Sequence, residues 1–168
     1  MKKWLVFYTK SRQEKKVKHL LERAGLEVFF PTQKVMRQWS DRKKKVEMPL
    51  FNSYLFVFEM EDKIPQLLQT PGMAWNIRYN GKPAILSQRE YELINRFLSS
   101  GLFIEVTEQQ AFQAGDHVQV MDGPLKGIEG YLIQQTRGDR FVLSLQSFSS
   151  SMLVELDPVV LKKTSSRQ

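Results

Sequence analysis

Two spacings of apolar residues alternate along the first hundred residues, and they predict strands that alternate with helices. The β-prone runs are residues 4–9, 26–30, 51–58 and 74–79. Between the first two runs, apolar residues recur every three or four positions, which is helical spacing. Ser11 and Glu14 have the spacing of a capping box, and Gly25 stands where a left-handed C-terminal cap belongs. We therefore predict a helix that begins at Ser11 and ends at Ala24.

Two more helices and a central strand follow from the same signals. Residues 51–58 are apolar almost without interruption, which predicts a strand buried on both faces. A short helix is predicted over 62–68, and Ser87 and Glu90 repeat the capping-box spacing ahead of an apolar helix face. This order of elements predicts an α+β unit in which helices flank an antiparallel sheet.

A basic stretch interrupts this pattern between residues 33 and 47. It has no helical stripe, its two arms alternate, and Ser40 and Asp41 offer turn chemistry, so we predict a projecting β-hairpin. Its tip carries six cations and one tryptophan: Lys34, Arg37, Trp39, Arg42, Lys43, Lys44 and Lys45. Such a combination is typical of a surface that neutralises phosphates and stacks a base, although a merely solvated cationic loop is the alternative.

The last third of the chain has a different composition. Short β-prone runs separated by glycine and proline follow residue 114, which predicts a small closed barrel, whereas residues 105–114 lack a periodic pattern. We therefore predict domains at 1–102 and 114–163, a linker at 103–113 and a polar tail at 164–168.

Composition and charge narrow the possible functions. The 168 residues include no cysteine, which excludes disulfides, thiolate metal sites and a cysteine nucleophile and agrees with a cytoplasmic location. No run approaches the roughly 18 apolar residues of a membrane span. The net charge of +7 is uneven, since residues 1–100 hold 19 basic and 10 acidic side chains and the remainder hold 6 and 8. The first unit is thus expected to meet a polyanion.

One sixteen-residue segment, 115–130, resembles the KOW motif. Alternating valines form an inward strand face, a Gly-Pro pair makes the turn, and two later glycines permit positive φ and close backbone approach. The motif positions are Gly115, Asp116, Val118, Val120, Gly123, Pro124, Gly127 and Gly130. An ordinary hairpin could carry the same glycines, but the whole register of the motif fits.

With this motif in place, the first unit resembles the N-terminal domain of the NusG family of transcription elongation factors. Residues 4–10 correspond to its opening strand and residues 49–57 to its central signature. The basic hairpin and the cationic start of the first helix are similar to specialised members, RfaH and the UpxY antiterminators of polysaccharide operons. The resemblance implies an antiparallel sheet flanked by helices followed by an SH3-like barrel.

The resemblance also implies partners. In this family the N-terminal domain binds the clamp helices of RNA polymerase through an apolar patch, which by position comprises Tyr8, Phe51, Tyr54 and Phe56. The hairpin would lie near the non-template DNA strand. The KOW unit contacts a ribosomal protein or a termination factor, and its near-neutral charge favours a protein over RNA. In RfaH-like proteins this unit can fold as a helical hairpin, but its glycines and proline predict a β-barrel here.

The resemblance thus implies a transcription elongation and antitermination factor of the UpxY-like branch, specialised for polysaccharide-type operons. Three other functions are alternatives to this one. An enzyme is disfavoured, because His19 and His117 have no accompanying carboxylate cluster or phosphate-binding loop. A ribosomal or RNA-binding protein with a KOW barrel should have a basic barrel. A housekeeping NusG would be a general pausing and termination factor, and operon-restricted recruitment would separate the specialists from it. We expect a monomer without cofactor, metal or membrane partner.

Overall fold

A computed structural model describes residues 1–108, 115–134, 138–148 and 150–164, and the chain forms two compact units, Met1–Tyr91 and Glu92–Gln168. This division differs from the predicted linker at 103–113. Part of that stretch is a strand, Glu105–Thr107, whose three residues pair with Ser151–Leu153 and are too short to show a period of their own. Residues 109–113 of the predicted linker and 165–168 of the predicted tail lie outside the described part.

The first unit is built on an antiparallel sheet. Its strands, with two short hairpins that form separate sheets, are β1 (Lys3–Thr9), β2 (Glu27–Phe29), β3 (Thr32–Gln38), β4 (Lys43–Pro49), β5 (Tyr54–Glu59), β6 (Met73–Asn76), β7 (Arg78–Tyr79), β8 (Lys82–Pro83) and β9 (Ile85–Leu86). The order in the main sheet is β2-β5-β1-β6, and β9 also pairs with β1. The predicted strand at 51–58 is therefore an inner strand, while the predicted strand at 74–79 is divided between β6 and β7.

Each face of this sheet buries its own set of side chains, because successive residues of a strand point to opposite faces. On one face, Leu55 and Val57 lie in a cluster with Leu5 and Phe7 of β1 and with α1 (Glu14–Arg23). On the other face, the indole of Trp4 stacks on Tyr91 with ring centroids 5.2 Å apart. The apolar run of β5 is thus explained by burial on both faces, as the sequence predicts.

The two predicted capping boxes have different outcomes. The one at Ser87 is confirmed: its hydroxyl accepts from the backbone N–H of Glu90 at 3.1 Å, at the start of α3 (Gln88–Ser99). The one at Ser11 is wrong, because α1 begins at Glu14 and its N-cap residue, Gln13, makes no side-chain cap. Glu14 Oε1 instead accepts from the backbone N–H of Ser53, 3.1 Å away. A carboxylate at the first helical position cannot reach back as one at the third can.

The other helix predictions are confirmed. The C-cap of α1 is Ala24, and Gly25 has a φ of +84° in the left-handed region that glycine favours. The predicted helix at 62–68 consists of one 3₁₀ turn, Glu61–Lys63, followed by α2 (Ile64–Leu67).

The second unit contains the C-terminal part of α3 and, in agreement with the predicted barrel, a series of antiparallel strands. Its strands are β10 (Glu105–Thr107), β11 (Asp116–Val120), β12 (Glu129–Ile133), β13 (Arg140–Leu145), β14 (Ser150–Val154) and β15 (Leu161–Lys163). They form one antiparallel sheet in the order β10-β14-β13-β12-β11-β15 around buried residues such as Phe141, Leu145 and Met152. Phe97 of α3 stacks on Phe141, with ring centroids 6.4 Å apart.

The KOW segment forms the hairpin β11–β12, and its two later glycines serve different purposes. Gly127 has a φ of +90°, and its N–H donates to the carbonyl of Val120 at 2.7 Å, which closes the loop. Gly130 is needed for space, because a Cβ there would lie 2.5 Å from the carbonyl oxygen of Val142 and 2.7 Å from Phe141 Cζ. The motif is therefore explained by the architecture of the barrel, in which it ties two strands together.

Candidate functional site

The predicted cationic hairpin is present and consists of β3 and β4. Thr32 lies opposite Pro49 at its base, and Gln38 lies opposite Lys43 near its tip. All six of its cations are exposed, and Trp39 is 54% exposed at the turn. The turn is closed by a hydrogen bond of 2.8 Å from the N–H of Trp39 to the carbonyl of Arg42. An indole that remains more than half exposed gains little from folding, so it is available to stack on a partner.

The cations of the hairpin outnumber its two acids, Asp41 and Glu47. None of the ion pairs in the described part of the chain includes a hairpin cation. Arg37 and Lys44 lie directly opposite each other in the register, and like charges in that position destabilise a strand pair. Lys34 faces the one acid of the strands, Glu47. The hairpin therefore carries an electrostatic cost that a polyanion would remove.

A second surface is formed by three aromatic side chains on adjacent strands. Tyr8 of β1 lies between Tyr54 of β5 and Trp75 of β6. It is directly opposite Tyr54 in the β1–β5 pair and directly opposite Trp75 in the β1–β6 pair. Tyr8 stacks on Trp75 at 4.6 Å between ring centroids and meets Tyr54 edge to face at 5.1 Å. The two tyrosines are half-buried and Trp75 is 53% exposed. We call these three residues the aromatic ladder.

The other two residues predicted for the polymerase-binding patch are buried. Phe51 and Phe56 are 2% and 0% exposed and contact each other edge to face, at 6.5 Å between centroids. They are core residues in this structure and offer no accessible surface, which corrects their placement in an exposed patch. Phe56 follows Tyr54 at a spacing of two and shares its face of the sheet, so sequence spacing could not separate the half-buried position from the buried one.

Trp75 is the member of the ladder that sequence reasoning missed. Its neighbours in the ladder, Tyr54 and Tyr8, are 21 and 67 positions away along the chain. The pairing of β1 with β6 also includes a register shift between Tyr8 and Thr9. A pairing of this kind leaves no mark in the local pattern of a four-residue strand. The available signal was a tryptophan directly before the polar Asn76 in the 74–79 run.

The KOW positions and the histidines have structural surroundings. Arg96 Nη2 donates to the backbone carbonyls of Pro124 and Lys126, at 3.1 and 2.8 Å, and so holds the motif's loop. The ring of His117 pairs through Nδ1 with the hydroxyl of Thr164 and lies edge-on to Tyr131. His19 is exposed on α1, as the sequence predicts.

Over residues 1–108, 115–134, 138–148 and 150–164, no group of three or more histidine, aspartate or glutamate side chains is arranged to hold a metal ion. In the same residues, no helix is long and apolar enough to cross a membrane.

The fold and these surfaces together define the chain as a two-unit protein. Its first unit is α+β, with an antiparallel sheet and a projecting cationic hairpin, and its second unit is a KOW-like barrel. A solved structure described as "Domain interaction in Thermotoga maritima NusG" has this fold, with a TM-score of 0.57 over 98% of each chain at 21% identity.

Sequence comparison identifies the family. The family model described as "Transcription termination factor nusG" matches residues 2–95. The chain is 30% identical to the transcription termination/antitermination protein NusG of Lactococcus lactis, over 92% of this chain and 89% of that protein. It is 31% identical to the protein of the same name in Streptococcus pyogenes serotype M1, over 93% of each. The chain belongs to the NusG family.

Proposed function

We propose that this chain is a general NusG-type factor that acts on transcription elongation and termination as an accessory of RNA polymerase in the cytoplasm. The observation that supports this most directly is the exposed hairpin, whose cations form no ion pair among the described residues, in a chain similar over both units to termination/antitermination proteins. The hairpin would contact the non-template DNA strand, with lysine and arginine on phosphates and Trp39 stacked on a base.

The aromatic ladder is the surface that we assign to the polymerase clamp helices. Aromatic side chains are enriched at the centres of protein interfaces, where a large ring is buried at a low cost in conformational entropy. Tyr8 and Tyr54 keep their predicted role, and Trp75 joins them as the most exposed of the three. Phe51 and Phe56 would support the face by packing within the unit.

The barrel would contact a second protein, for which a ribosomal protein and a termination factor are the two predicted candidates. The relatives from Lactococcus lactis and Streptococcus pyogenes are termination/antitermination proteins, which favours the general role over a specialised one. Restriction to polysaccharide operons stays a prediction from the resemblance to RfaH and UpxY.

A transcription assay tests this function. Added to RNA polymerase that elongates through a pause site and an intrinsic terminator, the full chain is expected to change pause lifetime or readthrough, because it would contact both polymerase and the displaced strand. A Tyr8→Ala/Tyr54→Ala variant should lose the effect. Tyr131→Ala, on the barrel, should retain it, because the assay contains no ribosomal protein or termination factor for the barrel to contact. Identical transcript patterns with and without the unchanged chain would contradict the proposal.

A further inference from the structure

A second, smaller hairpin projects from the first unit and has no part in the function proposed above. It consists of β7 and β8, in which Tyr79 lies directly opposite Lys82 and Arg78 opposite Pro83. Tyr79 is 43% exposed, and Arg78 and Lys82 are exposed. The turn between the strands is Asn80-Gly81, with φ values of +50° and +75°, as the tightest type of hairpin turn requires. We call residues 78–83 the tip hairpin.

The tip hairpin is held firmly to the sheet. The N–H of Ile77 donates to the carbonyl of Val6 at 2.9 Å, and the N–H of Ala84 donates to the carbonyl of Ile77 at 2.8 Å. Asn76 is 8% exposed, and its amide donates to the same Val6 carbonyl at 3.0 Å. The side-chain oxygen Oδ1 of Asn76 accepts from Nε of Arg78 at 3.4 Å, which orients that guanidinium. A surface fixed in this way loses little entropy when it binds.

All charged residues that flank the tip hairpin along the sequence are basic. Residues 63–89 contain four cations and no aspartate or glutamate. In the described part of the chain, no ion pair includes Arg78 or Lys82. Tyr79 and Lys82 are direct partners across the two strands, so their side chains share one face of the hairpin. A ring that stacks on a base beside a cation that meets a phosphate is the combination that binds single-stranded nucleic acid without regard to sequence.

The location adds a second argument. The cationic hairpin follows β2, and the tip hairpin follows β6, and these strands are at opposite edges of the order β2-β5-β1-β6. Three interstrand spacings, roughly 14 Å, separate the two edges. Positive surfaces at both edges of the sheet can hold one nucleic-acid strand at two points, or two nucleic-acid strands at one point each.

From these observations we infer that the tip hairpin is a second binding site for single-stranded nucleic acid, in which Tyr79 stacks on a base and Lys82 contacts a phosphate. The shared chemistry is that of a flexible polynucleotide strand, and DNA and RNA are both sources of it. This site goes beyond the proposed function, which assigns nucleic-acid contact to the cationic hairpin alone.

The test is the binding of fluorescent oligothymidine and oligouridine of about 12 nucleotides to the full chain, followed by anisotropy over a series of salt concentrations. Tyr79→Ala should weaken binding by about 5-fold or more, whereas Tyr79→Phe, which keeps the ring, should not. Lys82→Ala should flatten the slope of log K against log salt by about 0.7 more than Lys2→Ala does. Lys2→Ala is the matched control, because it removes one exposed charge outside residues 63–89 and outside the ion pairs. Preference for one oligonucleotide identifies the strand that is bound.

Two results would overturn the inference, and they are distinguishable. If Tyr79→Ala and Lys82→Ala bind like the unchanged chain while substitutions in the cationic hairpin abolish binding, the tip hairpin is no site and the proposed function stands. If the unchanged chain binds neither oligonucleotide, the nucleic-acid contacts assigned to both hairpins are wrong. Tyr79→Phe guards against misfolding, because it keeps the packing of the ring and removes only the hydroxyl.

Discussion

Replacing the four consecutive cations at 42–45 with alanine is expected to weaken binding of single-stranded DNA by roughly 10²- to 10³-fold at about 0.1 M salt. Each lysine or arginine that neutralises a phosphate releases counterions, and this release contributes a slope of about −0.7 per contact for single strands. The slope of log K against log salt should therefore flatten by about 2.8 if all four make contacts. Anisotropy titrations of a labelled oligonucleotide at several salt concentrations measure both quantities.

The matched control for this variant removes the same charge elsewhere. Its four alanine substitutions are at exposed cations outside the hairpin and outside the ion pairs: Lys2, Arg89, Lys126 and Lys162. The control should lose affinity only through the lower net charge, and its salt slope should change little. Equal losses in both variants would mean that the hairpin attracts nucleic acid only as part of the overall charge.

Gly130→Ala is expected to lower the stability of the barrel by about 2 to 3 kcal/mol. The added Cβ would meet the carbonyl oxygen of Val142 at 2.5 Å, and the ring of Phe141 at 2.7 Å. Phe141 is fully buried and Val142 is in a central strand, so neither neighbour can withdraw cheaply. Native-state hydrogen exchange read separately for the amides of the two units measures the change, because only those of the second should exchange faster.

Gly127→Asn is the control for this prediction. A Cβ at Gly127 meets no atom within 4 Å, and asparagine tolerates the left-handed conformation better than most residues. This variant should cost less than Gly130→Ala. The reverse order would show that backbone conformation, and not the close approach of β12 to its neighbour, explains the glycines of the motif.

Local signals in the sequence were sufficient where a feature depends on neighbours along the chain. The cap at Ser87, the left-handed Gly25 and the hairpin at 32–49 are features of this kind. The capping box predicted at Ser11 is wrong although its spacing is the same. Its Glu14 accepts a hydrogen bond from the backbone N–H of Ser53, 39 positions away. Spacing alone cannot distinguish a carboxylate that caps its own helix from one that binds another loop.

The binding surfaces were predictable only in part, for a related reason. Residues 4–9 and 54–58 were placed on strands correctly, but strand pairing decides which aromatic side chains are covered. Phe56 and Tyr54 share a face and differ in burial, and Trp75 reaches Tyr8 only through the register of β6. The exposed cations of the hairpin were easier to predict, since a charged tip beyond a sheet has little core to join.

Binding of the full chain to an isolated clamp-helix fragment of RNA polymerase tests the central claim most directly. We expect saturable binding that weakens by about 30-fold in Tyr54→Ala, the loss typical of a central aromatic contact of about 2 kcal/mol, and a similar loss in Tyr8→Ala. Tyr131→Ala, which removes a partly exposed tyrosine from the barrel, should leave the affinity unchanged. Absence of binding, or binding that neither ladder substitution weakens, would contradict the assignment of the aromatic ladder to the polymerase.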